Sequence, residues 1–173
     1  GAQGLRRELA LPPAETLPAD TVGGDESAAR GAGYATVGDP SRLRSLLELP
    51  RVHLVVDGYN VSKSAWGDSP LDRQRTRLVS ELAGVAARTS AEVTVVFDGA
   101  EVAASPPSAR GVRVRFSPAG VTADDVIARL VSAEPTGRPI VVVSNDAEIA
   151  SHARREGARP ATSQALVALM SGR

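Results

Sequence analysis

The chain has 173 residues, with 20 Lys+Arg balanced by 20 Asp+Glu and a formal net charge of zero. That length suits one domain of ordinary size plus an extension, and the neutral balance restricts any nucleic-acid binding to a local patch. The absence of cysteine excludes disulfides, thiolate zinc sites and cysteine nucleophiles, while Lys63 as the only lysine leaves no Gly-x-x-x-x-Gly-Lys phosphate loop and weakens Schiff-base chemistry.

Residues 1–11 read as the last turns of a helix stopped by Pro12-Pro13, continuing something upstream. From Pro12 to about Gly38 the chain is rich in Pro, Gly, Ala, Asp and Ser without periodicity, so residues 1–38 are taken as a helix remnant and linker. The domain proper is expected over 39–173. Asp39-Pro40 supplies an N-cap and a proline at the first helical position, and Leu43, Leu46, Leu47 and Leu49 form the apolar stripe before Pro50. A first strand follows over about Val52–Val56, ending in Asp57-Gly-Tyr-Asn60.

After that turn a loop containing Lys63 and Trp66 is expected, and Ser69-Pro70 then opens a long helix with Leu71, Leu78, Leu82 and Val85 on one face. Arg73 and Arg77 lie one turn apart on the opposite side. A second strand, Val93–Phe97, stops at Asp98, and a third over 112–116 alternates strictly, which predicts one less buried face. A helix over about 123–133, a fourth strand over 140–143, a helix to Glu156 stopped by Gly157, a short fifth strand near 158–161 and a last helix complete the chain. Strand and helix alternate throughout. That pattern predicts an α/β three-layer sandwich with a central parallel sheet.

In such sheets ligands bind at the carboxyl ends of the strands, where Asp57, Asp98 and Asp146 are delivered to one rim. Each has an ordinary explanation beside the functional one. Asp57-Gly58 and Asp98-Gly99 are common turn pairs, and Ser144-Asn145-Asp146 reads as a helix N-cap. Thr122 with Asp125 three residues on matches a capping box, and Asp125 can pair with Arg129. Asp124 instead flanks the apolar stripe of Val126, Ile127, Leu130 and Val131, so it is the functional candidate of that pair. Glu148 points away and ranks below the others.

Carboxylates gathered on one rim repel unless a positive charge separates them. With so little lysine and the arginines read as surface residues, a hard cation held by oxygen ligands, Mg²⁺ or Mn²⁺, is the natural partner. His53 sits inside a strand and His152 mid-helix, so both are read as structural. Asn60 is suited to orienting a water or a phosphate.

The segments Val-Asp57-Gly-Tyr-Asn60-Val, Val-Val-Phe-Asp98-Gly, Phe116-Ser-Pro-Ala-Gly-Val-Thr-Ala-Asp124-Asp-Val-Ile127 and Val-Val-Ser144-Asn-Asp146 together resemble the NYN domain. They are most similar to the YacP-like branch of that PIN-like nuclease superfamily, from about residue 51 to the C-terminus. The resemblance implies a sheet of order 3-2-1-4-5 and metal-dependent endoribonuclease activity. It maps the family's acids onto Asp57, Asp98, Asp124 and Asp146, its asparagine onto Asn60, and the substrate onto RNA, including RNA on ribosomes. The linker and preceding helix are similar to those of actinobacterial proteins with a long upstream coiled coil, which would mediate oligomerisation.

The expectation is a cytoplasmic endoribonuclease cleaving single-stranded RNA through metal-activated water, with no membrane span, since no apolar run approaches ~18 residues. Lys63, Arg73, Arg77 and Arg113 are the expected substrate contacts, with Arg110 and Arg115 nearby and Tyr59 or Trp66 available to stack a base. The alternative is a non-catalytic RNA- or protein-binding module on the same fold, consistent with the neutral charge. A phosphohydrolase of small esters is disfavoured by the missing Asp-x-Asp after the first strand.

Overall fold

The computed structural model describes residues 34–99 and 106–172. The chain divides after Tyr34, and the fold belongs to the second part, Ala35–Arg173. The expected helix over 1–11, most of the linker and any coiled coil lie outside the described residues.

The sheet is built from β1 (His53–Asp57), β2 (Glu92–Phe97), β3 (Val112–Phe116), β4 (Ile140–Val143) and β5 (Arg159–Ala161). All neighbours pair in parallel, in the order β3-β2-β1-β4-β5. β1 is central and buried along its first four residues, as its unbroken apolar run requires of a strand covered on both faces. It starts and ends one residue later than expected, because Asp57 still pairs with Val96 of β2.

Alternation divides the strands between two cores. Leu54, Val56, Val93, Val95, Phe97, Val141 and Val143 face one side, where they pack with Leu43, Leu47, Leu78, Leu82, Leu166 and Leu169. Val55, Val96, Ile140 and Val142 face the other, against Ile127, Val131, Ile149 and Ala153. The first core is thus covered by α1 (Pro40–Leu47), α2 (Gly58–Trp66), α3 (Leu71–Arg88) and α6 (Ser163–Gly172), and the second by α4 (Ala123–Ala133) and α5 (Ala147–Arg155). This is the expected three-layer sandwich.

Several local signals hold. Asp39 caps α1 by accepting from the Ser41 N–H at 3.0 Å, and Thr122 and Asp125 form the capping box of α4. Gly157, at φ 84°, ends α5. Upstream of the expected domain start, Val37 is also part of the body. Its N–H donates to Pro160 O at 2.8 Å and its carbonyl accepts from Thr162 N at 2.9 Å, covering the outer edge of β5.

One element differs outright from the sequence reading. The segment holding Lys63 and Trp66 is not a loop but α2, which begins immediately after Asp57. Its Gly, Tyr, Asn, Val and Ser residues are weak helix formers, so packing supplies what propensity does not. Val61 and Ser62 are fully buried, and the Ser62 hydroxyl donates to Gln74 Oε1 at 2.7 Å. Gly58 permits the close approach: a Cβ there would stand 2.4 Å from the Phe97 ring and 2.9 Å from the Val96 carbonyl. Asp57-Gly58 is therefore a strand-to-helix junction, and its glycine is required by space rather than by a turn.

Candidate active site

Asp57 ends β1 and precedes α2, yet its carboxylate makes no capping bond to that helix. Its Oδ2 accepts instead from Ser144 Oγ at 2.7 Å. The same hydroxyl accepts from the Asp146 N–H at 3.0 Å, so one serine ties the carboxyl ends of β1 and β4 together. Asp146 caps α5, its Oδ1 accepting from Glu148 N at 2.8 Å and Ile149 N at 3.1 Å. The N-cap reading of this residue is correct for that oxygen, and Oδ2 has no protein donor among the described residues.

Asp98 stands exposed just beyond β2 and is steadied by buried Ser117, whose hydroxyl donates to Oδ1 at 2.9 Å. Ser117 also accepts from the Gly99 N–H at 3.0 Å. Asp124 sits half-buried in the first turn of α4, with no hydrogen bond among the described residues. Asp125 is exposed and spent on its capping box, and Arg129 makes no ion pair with it.

Electrostatics show that these acids face one another. Burial, opposed by the Ser144 bond and reinforced by the charges of Asp124, Asp146 and Asp98, pushes Asp57 up to about 6. Asp124 is also raised, by burial first and then by Asp146, Asp125, Asp98 and Glu148. None of these main influences on either carboxylate is a cation. Glu148, expected to point away, lies close enough to act on Asp124 and lines the same cleft. The rim is open all the same: among the described residues, no three His, Asp or Glu side chains form a preassembled metal shell. Its donor chemistry, several oxygen acids with partial burial and no cation among the main influences on Asp57 or Asp124, suits a hydrated divalent cation. Mg²⁺ in particular is commonly held through one or two carboxylates while keeping several waters.

Asn60 has a role the sequence did not reveal. Its Oδ1 accepts from the Asn145 N–H at 2.8 Å and from Ser163 Oγ at 2.5 Å, clamping α2 to the β4–α5 junction and to the start of α6. Asn145 completes the clamp by accepting from Ser163 N at 2.9 Å and donating to Gln164 Oε1 at 3.0 Å. Asn60 Nδ2 has no protein partner among the described residues and remains available to a ligand. Ser163 lies too far along the chain to be paired with Asn60 by sequence.

The basic candidates have separate fates. Lys63 lies over the Tyr59 ring at 5.6 Å, and Arg77 over the Trp66 ring at 4.5 Å. Tyr59 itself packs on Phe97 at 5.1 Å and accepts from Arg75 Nη1 at 2.7 Å, so it is a structural ring. Arg73 is exposed. Arg113 is held by Glu92 at 2.9 Å, towards the amino end of the sheet. His53 is buried, with Nδ1 against Glu134 Oε2 at 2.5 Å and Nε2 against Thr94 Oγ1 at 2.8 Å, which makes it structural as expected. His152 lines a cleft between α4 and α5 with its Nε2 buried and unpartnered among the described residues.

A five-stranded parallel sheet of this order, with helices on both faces and acids along its carboxyl edge, is the PIN-like fold. The sequence profile of the YacP-like NYN domain matches residues 54–172, and the chain belongs to that family, a branch of a nuclease superfamily. Among solved structures it resembles Rae1 (YacP) from Bacillus subtilis, at 25% identity and a TM-score of 0.60, over 69% of this chain and 74% of that one. A tryptophan-to-leucine mutant of the same protein matches at 24% identity, with a TM-score of 0.60 and the same coverage. No curated protein sequence matches the chain. No helix among the described residues is long and apolar enough to cross a membrane.

Proposed function

We propose that the protein is a divalent-metal-dependent endoribonuclease that hydrolyses single-stranded RNA, acting in the cytoplasm, with ribosome-bound RNA among its substrates. The supporting observation is Asp57: a buried carboxylate raised to about 6, surrounded by Asp124, Asp146 and Asp98 with no cation among its main influences. A group in that state is held at an energetic cost unless a positive ligand joins it.

Asp57, Asp98, Asp124 and Asp146 would hold Mg²⁺ or Mn²⁺. Such an ion supplies positive charge against a phosphodiester and makes its water a stronger acid. The chain's own contributions are positional. Ser144 and Ser117 fix the Asp57 and Asp98 carboxylates. Asp146 keeps one oxygen for the helix it caps and offers the other to the rim. Asp124, with no hydrogen bond among the described residues, would join the ion without giving up a protein partner. The Asn60 clamp sets the β4–α5 junction and leaves Nδ2 to orient the scissile phosphate.

The test is cleavage of a labelled single-stranded RNA with Mn²⁺, set against the same reaction in chelator. Asp57→Asn and Asp146→Asn are each expected to lower the rate by roughly 10²–10⁴-fold. Equal rates in wild type and both variants remove the catalytic claim. They would leave the second reading, a non-catalytic RNA-binding module, which the open rim favours.

A further inference from the structure

Two clefts flank α4, and their charges differ. The one between α4 and α5, about 360 Å³, is lined by Asp124, Asp125 and Glu148 with a single Arg155, so it repels a polyanion. The other, about 340 Å³ between β3 and α4, has Phe116, Pro118, Val126, Leu130 and Ala133 as its apolar lining and Arg115 and Arg129 as its only charges.

Strand geometry explains why Arg115 is there. Val112, Val114 and Phe116 pack against the core under α3, so alternation turns Arg113 and Arg115 to the α4 side. Arg113 is consumed by Glu92. Arg115 is two residues nearer the carboxyl edge and pairs with Val96, the same residue that Asp57 pairs with from the other side. Asp57 and Arg115 are therefore level, two strand spacings or about 10 Å apart. Arg129 is exposed on α4, about 1.4 turns after Asp124. Neither Arg115 nor Arg129 has a hydrogen bond or ion pair among the described residues, although the protein has as many acids as bases.

We infer that the β3–α4 cleft is the subsite for the RNA segment flanking the scissile phosphate, with Arg115 and Arg129 gripping its phosphates and the apolar wall receiving a base. The inference rests on the ribonuclease reading for the identity of the ligand, while the cleft and its charges stand independently. It moves substrate binding away from Lys63, Arg73, Arg77 and Arg113. The first and third of these lie on aromatic rings and the last is ion-paired. A bound strand would leave the acid rim past Ser117 and Pro118 and run down α4.

The experiment is fluorescence anisotropy of a labelled single-stranded RNA decamer in Mg²⁺, on an Asp146→Asn parent that does not consume the probe. Adding Arg115→Gln and Arg129→Gln should weaken binding by about tenfold. It should also flatten the slope of log K against log salt by about 1.4, since each lost single-strand phosphate contact removes about 0.7. Adding Arg73→Gln and Arg77→Gln should change neither. The inference is overturned if the first pair binds with parental affinity and slope, if the parent shows no binding, or if it binds polyglutamate as tightly as RNA. The ribonuclease reading fails separately: a wild-type protein that binds through Arg115 and Arg129 but cuts nothing in Mn²⁺ keeps the subsite and loses the catalysis.

Discussion

The two ends of one sheet hold acids in opposite states. At the amino end, Arg138 reaches Glu92 at 2.6 Å and Glu134 at 2.8 Å, Arg113 reaches Glu92 at 2.9 Å, and His53 lies on Glu134. The Arg138 hydrogen bond, ahead of the His53 and Arg113 charges, holds the Glu92 carboxyl below its ordinary value. At the carboxyl end, burial and three neighbouring acids push Asp57 the other way, to about 6. The acids at the amino end are paired with cations and serve the fold. Those at the carboxyl end face one another, and no cation is among the main influences on Asp57 or Asp124.

That contrast is tested first where the expected stability effect is largest. Glu134→Ala strips the buried His53 of its Nδ1 partner and Arg138 of one carboxylate, and should cost about 2–4 kcal/mol in urea unfolding. RNA cleavage per folded molecule should not change. A loss of cleavage without loss of stability would show that the two ends are not independent.

Asp57→Asn should act in the opposite direction in chelator. A carboxylic acid whose folded value is raised from 3.8 to about 6 stabilises the fold below 3.8 and loses that contribution as the pH rises through 6. At pH 7.5 the variant should therefore be more stable than wild type by about 1–3 kcal/mol, and the gap should close below pH 4. Excess Mn²⁺ should raise the wild-type melting temperature and not that of the variant. A destabilised Asp57→Asn in chelator, measured by thermal melts across pH, would mean the rim is not under strain.

The smallest effect belongs to Glu92→Gln. Because the Glu92 carboxyl is depressed, its contribution is present above its ordinary value of 4.5 and disappears as the pH falls below it. The side chain is 36% exposed, so solvent screening should keep the loss under about 1 kcal/mol, and high salt should erase it. A salt-independent loss at neutral pH would count against this assignment.

Much of this was legible from residue order. Apolar runs marked β1, β2 and β4, strict alternation marked β3, and Thr122 with Asp125 marked the capping box. The position of acids one to three residues past the expected strand ends placed Asp57, Asp98 and Asp146 on one edge. What escaped was decided by packing. α2 has weak helical propensity and exists because Gly58 fits beneath Phe97 and Val61 is buried. Arg113 and Arg115 are indistinguishable in the motif Val-Arg-Val-Arg-Phe116. Only the register against β2 shows that the first meets Glu92 and the second does not. Asn60 was recognised as polar and well placed, yet its clamp on Ser163 spans 103 residues.

By itself the sequence determined where the chain goes up and down and which acids reach the edge, because periodicity and strand length are local properties. The desolvation of Asp57, the largest cause of its raised value, required tertiary structure. So did the separation of spent arginines from available ones. Burial and charge interactions depend on neighbours in space, and those neighbours come from strands and helices distant in the chain.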